Sequence, residues 1–428
     1  MTTQPFVTIN DTTLRDGAQQ EGLNLSVQDK LAIARHLDDL GVGFIEGGWP
    51  GANPKDTEFF ALAKKELKLK NATFVAFGAT RRPNAKAADD VLLGALRDSG
   101  APAVTLVAKA FDRHVDLALK TTLDENLAMI RDSVTHLREE GQRVFLDAEH
   151  FFDGYRSNRA YALEVVRVAA EAGADVIALC DTNGGMLPDE IADVVHDVLG
   201  ATSARLGIHC HNDTGCAVAN SMAAVAAGAT HVQGTLNGYG ERTGNADLVT
   251  IIANLELKKK KDVLPQNALR EAFRISHAVA EVTNISPSPR QPYTGVSAFA
   301  HKAGLHASAI KVDPALYQHE DPASVGNDIY RAYERNANYS NKERSVLARW
   351  TGEGTTNDAR YPRYSFLDAN SNIRVSDRYV EDGSFIRLKT VNIGYRFDKS
   401  LVKKIGLNGI RVYTSAQNLY TLTKYQGL

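Results

Sequence analysis

Eight short runs of apolar and β-branched residues, separated by helix-forming stretches, constrain the fold of this chain more than any other feature. The runs occupy positions 6–11, 43–48, 73–80, 103–108, 143–150, 175–182, 205–213 and 231–238. Each run is continuously apolar rather than alternating, which is typical of a strand buried on both faces of a parallel sheet. Eight such strands within residues 1–258 predict a (β/α)8 barrel, because these barrels need about 250 residues.

The stretches between the runs carry helical signals. Residues 27–41 and 123–141 have apolar residues at helical spacing, and the second stretch stops at Gly141, a common C-terminal signal. The competing fold is a doubly wound open sheet, which usually has fewer strands and a GxGxxG turn after its first strand. No such turn follows residues 6–11. We therefore predict an α/β fold with a TIM-barrel catalytic domain at 1–258.

Charge and hydropathy exclude several classes of protein. The 49 basic and 51 acidic residues give a net charge of −2, which argues against nucleic-acid binding. The sequence has no apolar run long enough for a membrane-spanning helix, and its amino terminus lacks the pattern of a secretory signal. The three cysteines, Cys180, Cys210 and Cys216, are too few for a disulfide framework and fit a reducing compartment. We expect a cytoplasmic protein.

Polar residues collect where the predicted strands end, and the active sites of such barrels lie at the carboxyl ends of their strands. These residues are, in chain order, Asp11, Arg15, Asp16, Glu46, Glu149, His150, Asp181, Thr182, His209, His211, Asn212, Asp213, Glu241, Arg242 and Asn245. Their placement predicts a reactive site at that end of the barrel.

His209 and His211 indicate a metal site. They are two residues apart on a predicted strand, so both imidazoles emerge on one face, although a hydrogen-bonded histidine pair would have the same spacing. Asp16 and the carbonyl of Asn245 are candidate third and fourth ligands. Two nitrogen and two oxygen donors with open positions suit Zn²⁺, Mn²⁺, Co²⁺ or Fe²⁺ better than a closed structural zinc. Cys210 points to the opposite face, and we expect it to be packed in the core.

A metal with open positions would polarise a carbonyl group, and three neighbouring residues suggest a substrate that also carries a carboxylate. Arg15 has the bidentate fork for such a carboxylate, or it forms a salt bridge to a neighbouring carboxylate such as Glu46. Thr182 either donates a hydrogen bond to the same anion or caps the helix that follows. Glu149 is a candidate base or an ion-pair partner of a nearby arginine.

Three motifs together resemble the signature of the DRE-TIM metallolyase superfamily: TINDTTLRDGAQQEG at 8–22, HCHND at 209–213 and GYGERTGNA at 238–246. Within this superfamily, residues 5–327 resemble the synthases that condense acetyl-CoA with 2-oxo acids, namely isopropylmalate, homocitrate and citramalate synthases. FIEGGWPGANPKD at 44–56 and the segment 292–327 look most like citramalate synthases.

The resemblance implies an acyltransferase that condenses acetyl-CoA with pyruvate and water to (R)-citramalate and CoA, a step of isoleucine biosynthesis. An isopropylmalate or homocitrate synthase acting on a larger 2-oxo acid is the alternative. The resemblance further implies a divalent cation (Mn²⁺, Zn²⁺, Co²⁺ or Mg²⁺), a homodimer, and a linker subdomain at 259–327 that completes the active site.

The resemblance also assigns roles to individual residues. It implies four metal ligands: Asp16, His209, His211 and Asn245. It implies six residues that act on the substrates: Arg15, Glu46, Thr182, Glu149, His306 and Tyr317. Arg15, Thr182 and Glu46 are placed at the keto acid, and Glu149 and His306 are the candidate bases. His306 and Tyr317 belong to the linker subdomain, which in this family usually reaches the active site of the partner subunit.

The last hundred residues differ from the rest of the chain. Residues 329–428 hold 14 aromatic residues, against 18 in the preceding 328, and alanine becomes sparse after Ala323. Apolar and polar residues alternate from Thr390 to Phe397, and again from Ile410 after the turn-like sequence GLNG, which predicts an antiparallel hairpin. The sequence here resembles strands of SusC-type TonB-dependent outer-membrane receptors.

A few strands of such a receptor cannot close a barrel, and an open sheet edge is not viable in lipid. We therefore interpret residues 328–428 as a foreign β-rich tail without an independent function, joined to the barrel enzyme in a chimera. The alternatives are a divergent regulatory domain, a membrane-receptor fragment, or a barrel made inactive by its tail. Membrane association is expected only if the tail acts as a receptor fragment.

Overall fold

A computed structural model describes residues 7–301, 303–327, 385–397 and 410–423 of the chain. The chain divides into two compact units, Met1–Asp328 and Ile329–Leu428. The predicted linker subdomain at 259–327 lies within the first unit. Over the described ranges, no helix is both long enough and apolar enough to cross a membrane.

The first unit contains a closed barrel of eight parallel strands in chain order. This confirms the predicted (β/α)8 fold and excludes the open sheet. The strands are β1 (Thr8–Asp11), β2 (Phe44–Glu46), β3 (Thr73–Ala79), β4 (Ala103–Lys109), β5 (Arg143–Glu149), β6 (Val176–Asp181), β7 (Leu206–Cys210) and β8 (His231–Gly234). β8 closes on β1 with Thr8 opposite His231 and Asp11 opposite Gly234. Each of the eight apolar runs coincides with one strand, and only β4 extends one residue beyond its run, to Lys109.

Helices follow the strands in the alternation that the sequence predicts. Within the described residues they are α1 (Val27–Leu40), α2 (Pro54–Glu66), α3 (Val91–Asp98), α4 (Asp112–His114), α5 (Leu123–Glu139), α6 (Phe151–Ser157), α7 (Arg159–Glu171), α8 (Pro188–Ala201), α9 (Ala217–Ala227), α10 (Leu248–Ala253), α11 (Ala272–Thr283) and α12 (Gly304–Val312). α1 begins at a capping box formed by Ser26 and Asp29. α5 ends two residues before Gly141, whose φ of +92° is a left-handed conformation that glycine adopts at low cost.

The barrel interior changes character along its axis. At the amino-terminal end it is filled by a small apolar cluster of Phe44, Val75, Ala103, Phe145 and Val176. The Phe44 and Phe145 rings meet edge to face with centroids 4.9 Å apart. The carboxyl ends of the same strands carry buried polar residues instead. The amino-terminal end is packed mainly with apolar side chains, so the polar residues at the other end, the mouth of the barrel, form the candidate site.

The glycine-rich loop after β8 is fastened to the following helical region. The Tyr239 hydroxyl donates to the Ile285 carbonyl oxygen at 3.0 Å and lies 3.2 Å from the Thr283 hydroxyl. The Ser276 hydroxyl donates to the side-chain oxygen of Asn237 at 2.5 Å. These bonds connect α11 to the loop that carries Asn245, so the region after the barrel helps to position the mouth.

The second unit contains the predicted hairpin. β9 (Phe385–Arg396) and β10 (Arg411–Thr423) pair antiparallel, with Tyr395 opposite Val412. Ile393 and Tyr395 are each 65% exposed. The turn-like GLNG sequence lies outside the described residues. The origin of this unit as a receptor-like fragment stays a prediction.

Candidate functional site

Three predicted metal ligands meet at the barrel mouth. Asp16 Oδ2 lies 3.2 Å from His209 Nε2 and 3.7 Å from His211 Nε2, and all three side chains are buried. One potential ligand atom from each residue lies within 4.8 Å of the others, which is the spacing that a single cation can bridge. His209 is the penultimate residue of β7, and Asp16 lies in a short turn after β1. Barrel closure brings them together because β8 pairs with both strands.

Asn245 adds an oxygen donor beside the histidines. It forms an isolated bridge with His211, and its Nδ2 donates to the Tyr239 carbonyl oxygen at 3.0 Å. Its Oδ1 is buried and has no hydrogen-bond partner among the described residues. Leaving a buried acceptor unpaired costs free energy, and a cation would satisfy it. Gly240 permits this placement, since at its φ of +146° a Cβ atom would lie 2.2 Å from Asn245 Nδ2.

The charges at the site favour a cation. Burial would raise the pKa of Asp16, but Arg15 and the two histidines outweigh it and hold that pKa well below its usual range. Burial, together with His209, lowers the pKa of His211 to about 4. Burial also acts to lower the pKa of His209, yet Asp16 raises it overall, so a cation competes with a proton there. At neutral pH the site therefore offers an anionic carboxylate and a neutral imidazole.

Carboxylates hold Arg15 beside the predicted metal ligands, in agreement with its interpretation as an ion-pair residue. Its Nε donates to Glu46 Oε1 at 2.7 Å, and its Nη1 lies 3.6 Å from Asp16 Oδ2. The guanidinium carbon lies 4.0 Å from the centroid of the Phe77 ring. Pairing with Glu46 uses Nε, so the Nη groups remain as donors for a substrate anion. Glu46 itself is fully buried and contacts the guanidinium.

Glu149 and Thr182 stand on the neighbouring strand ends. Glu149 pairs with Lys109, a residue that sequence reasoning missed, instead of with Arg15 or Arg242. The Thr182 hydroxyl oxygen accepts the backbone N–H of His150 at 2.9 Å, so it does not cap α8, and the cap position of that helix is held by Leu187. This bond ties the end of β5 to the end of β6 immediately after Glu149.

A cavity of about 810 Å³ opens at the mouth. Its lining includes the side chains described above at the strand ends: Arg15, Asp16, Phe77, Lys109, Glu149, Thr182, His209 and His211. The predicted residues His306 and Tyr317 lie on and after α12, where their rings stack with centroids 4.1 Å apart. These two residues do not belong to the lining of this cavity.

Sequence reasoning also missed a row of buried polar residues that leads to His209, one of the predicted metal ligands. Gln233 Nε2 donates to Asp147 Oδ1 at 2.7 Å, and Gln233 Oε1 lies 3.1 Å from His209 Nδ1. Burial, aided by the charge of Glu46, raises the pKa of Asp147 to about 7. The available signal was a polar residue inside an apolar run, in FLDAE on β5 and HVQG on β8.

Asp11 predicts a pH dependence of stability. It is buried, accepts the N–H groups of Thr13 at 2.8 Å and Leu236 at 3.2 Å, and burial raises its pKa to about 7. The pKa of an aspartate in an unfolded chain is about 3.9. Between that pH and about 7, the native state therefore binds more protons than the unfolded state. We expect the free energy of unfolding of the metal-free chain to fall as pH rises through about 7.

Urea unfolding followed by far-UV circular dichroism between pH 5 and 8 checks this dependence. Asp11→Asn should flatten part of the profile, whatever its effect on absolute stability. Asp98→Asn, which changes an exposed carboxyl group, should keep the wild-type slope. An Asp11→Asn profile as steep as that of the wild type would contradict the assignment.

Comparison with known proteins gives a family match over most of the barrel unit. Residues 6–279 match the family described as HMGL-like. The chain is 70% identical over 319 residues to the (R)-citramalate synthase of Streptomyces coelicolor, covering 74% of this chain and 60% of that protein. It is 36% identical over 322 residues to the 2-isopropylmalate synthase of Sulfurisphaera tokodaii, covering 75% of this chain and 80% of that protein.

A solved structure shares the fold at low sequence identity. The hydroxymethylglutaryl-CoA lyase of Pseudomonas aeruginosa superposes with a TM-score of 0.53 at 22% identity, over 67% of this chain and 97% of that one. The chain spans about three-fifths of the length of the curated (R)-citramalate synthases it matches.

Proposed function

This chain belongs to the HMGL-like family, and from that premise we propose that it condenses acetyl-CoA with pyruvate and water to give (R)-citramalate and CoA. The observation that carries the proposal is the convergence of Asp16, His209 and His211 at the mouth of the barrel. The 70% identity to an (R)-citramalate synthase supports this reaction over others of the family.

Asp16, His209 and His211 would hold a divalent cation, with Asn245 Oδ1 as a fourth donor. Their two imidazole and two oxygen donors fit such an ion, and the unpaired buried oxygen of Asn245 supports the assignment. Bound there, the cation would polarise the keto group of the 2-oxo acid. This donor set suits several divalent cations, so the cation that is bound depends on its affinity for the site and on its concentration.

Arg15 and Thr182 position the keto acid. Arg15 already lies beside Asp16, so its Nη groups can bind the substrate carboxylate while its Nε stays with Glu46. The Thr182 hydroxyl accepts one hydrogen bond from the backbone of His150, and its own hydrogen is free to be donated to the same carboxylate. Glu46 thus serves substrate binding by orienting the guanidinium.

Glu149 is the proposed base. It takes a proton from the methyl group of acetyl-CoA, and the resulting carbon nucleophile forms a bond to the keto carbon of pyruvate. The keto oxygen takes up a proton, and water then cleaves the thioester to release CoA. Lys109 contacts the Glu149 carboxylate and orients it at the edge of the cavity. The cavity of about 810 Å³ has room for both reacting groups.

We further propose that His306 and Tyr317 complete the site from the linker subdomain, and that the chain acts as a homodimer. His306 is the second candidate base. The two rings stack against each other, and Tyr317 is 40% exposed, which leaves the pair accessible to a partner subunit.

The second candidate function is condensation of acetyl-CoA with a larger 2-oxo acid. The 36% identity to a 2-isopropylmalate synthase supports this function, but more weakly than the 70% identity to an (R)-citramalate synthase supports the use of pyruvate. One methylene changes discrimination by only about 1–3 kcal/mol, so one or two pocket residues suffice to switch the preference.

A CoA-release assay on the purified chain tests the proposal. We expect kcat/KM for pyruvate to exceed that for 2-oxoisovalerate and 2-oxoglutarate by about 10-fold or more, because a pocket fitted to a methyl group excludes the larger side chains. Chiral chromatography should identify (R)-citramalate, and removal of metal by a chelator should stop turnover until Mn²⁺ is restored. Preference for a larger acid would replace citramalate synthesis by the second candidate, and absence of turnover with all three acids would reject both.

A further inference from the structure

A continuous row of buried polar groups leads from the barrel interior to one metal ligand. Asp147 on β5 accepts from Gln233 on β8 at 2.7 Å, and Gln233 in turn contacts His209 on β7 at 3.1 Å. Gln233 is fully buried, while Asp147 and His209 are each 4% exposed. Gln233 and His209 are direct neighbours in the pairing of β7 with β8, so the register of the barrel fixes the second contact.

The chemistry of the three groups allows one arrangement of hydrogens. Gln233 directs its NH₂ group at Asp147, whose Oδ1 accepts the hydrogen bond. The amide oxygen then faces His209 Nδ1, and because that oxygen only accepts, Nδ1 must carry a proton. The imidazole lone pair is therefore left on Nε2, the atom that lies 3.2 Å from Asp16.

We propose that Asp147 and Gln233 are positioning residues, which hold His209 in the tautomer and ring orientation that present Nε2 to a divalent cation. The inference rests on the metal site of the proposed function and extends it to residues that do not contact the ion. Without Asp147 the amide of Gln233 could rotate by half a turn and offer its NH₂ group to Nδ1. That would favour a proton on Nε2 and oppose metal binding.

His211 lacks such a partner. Its Nδ1 is buried and has no hydrogen-bond partner among the described residues. Among the described residues, the proposed ligands on and just after β7 are thus supported unequally, because His209 Nδ1 has a side-chain partner and His211 Nδ1 has none.

Metal affinity is the first test. We expect Gln233→Leu to raise the dissociation constant for Mn²⁺ by about 10–100-fold, the range typical of lost outer partners of metal ligands. Asp147→Asn should weaken binding less, because asparagine can still accept from Gln233 in one of its orientations. Gln142→Leu is the matched control: Gln142 donates to the Leu96 and Ala101 carbonyl oxygens at the other end of the barrel. Its Mn²⁺ affinity should remain that of the wild type.

Two further measurements separate positioning from general destabilisation. In Zn²⁺-loaded chain with ¹⁵N-labelled histidine, His209 should show a slowly exchanging Nδ1–H signal that disappears in Gln233→Leu. Adding Asp147→Asn to Gln233→Leu should weaken Mn²⁺ binding no further, because both changes break one row. If Gln233→Leu does not fold, the Mn²⁺ affinities of Asp147→Asn and Gln233→Glu are compared with that of the wild type instead.

The outcomes distinguish this inference from the proposed function. Two results would overturn the positioning role and leave citramalate synthesis standing. One is an unchanged Mn²⁺ affinity in folded Gln233→Leu and Asp147→Asn. The other is an Nε2–H signal for His209 in the Zn²⁺-loaded wild type. A wild-type chain that binds Mn²⁺ and shows the Nδ1–H signal when loaded with Zn²⁺, but condenses no 2-oxo acid, would overturn the function and leave the positioning role standing.

Discussion

Replacing Asp16 with alanine is expected to lower kcat/KM for condensation of pyruvate with acetyl-CoA by about 10³-fold or more. Asp16 is the only carboxylate in the described His/Asp group at the mouth, and it contacts both His209 and His211. Its loss removes the anionic ligand, and cation polarisation of a carbonyl is worth several kcal/mol, at about 1.4 kcal/mol for each tenfold in rate. Steady-state CoA release measures the loss, and Mn²⁺ titration measures the loss of binding.

The control for this prediction is Asp175→Ala. Asp175 precedes β6 at the opposite end of the barrel and forms ion pairs with Arg138 and Arg143. Exposed ion pairs contribute little to stability, so this variant should keep both its activity and its metal affinity. Both variants should show a folded barrel by far-UV circular dichroism. Asp16→Ala that binds Mn²⁺ like the wild type and retains turnover would remove the basis of the proposed metal centre.

Replacing Glu149 with glutamine is expected to lower kcat by about 10²–10⁴-fold while KM for pyruvate changes little. The change keeps the shape of the side chain but removes the group that accepts the proton, and general-base catalysis contributes a factor of this size. Since Arg15 and Thr182 bind the keto acid in the proposed mechanism, pyruvate affinity should survive. Exchange of the acetyl-CoA methyl protons with deuterated solvent, measured in the presence of pyruvate, should fall in parallel with kcat.

Glu171→Gln is the matched control for Glu149. Glu171 lies at the end of α7 and pairs with Arg167 on an exposed helix face, so its replacement should leave kcat unchanged. If Glu149→Gln retained proton exchange but lost condensation, the base would have to be another group, and His306→Asn would be the next variant to measure.

The periodic part of the fold was readable from sequence because its signals are local. Each run is continuously apolar because its strand is buried on both faces. Eight such runs within 258 residues predict a closed barrel, and the structure has one. The two-residue period of a strand placed His209 and His211 on one face and turned Cys210 into the core, where it is fully buried. The antiparallel pairing of β9 with β10 likewise agrees with the alternation seen from Thr390 to Phe397 and from Ile410 onward.

The roles of the residues at the mouth of the barrel were predicted partly from the resemblance to a known family. Spacing alone did not decide whether Arg15 binds a substrate carboxylate or forms a salt bridge. In the structure Arg15 pairs with Glu46 and also lines the cavity. His306 and Tyr317 had no local signal, and their contribution to the site stays a prediction. The linker and tail boundaries also stay predictions.

What the sequence determined by itself is therefore the set of strands, the end of the barrel that carries the polar residues, and the shared face of the two histidines. Only the tertiary structure decided the partners: Asp16 against His209, Lys109 against Glu149, and Gln233 between Asp147 and His209. The physical reason is that these contacts join residues from 24 to 193 positions apart in the chain. Their register is set when the sheet closes on itself, and no local pattern of apolar and polar residues contains it.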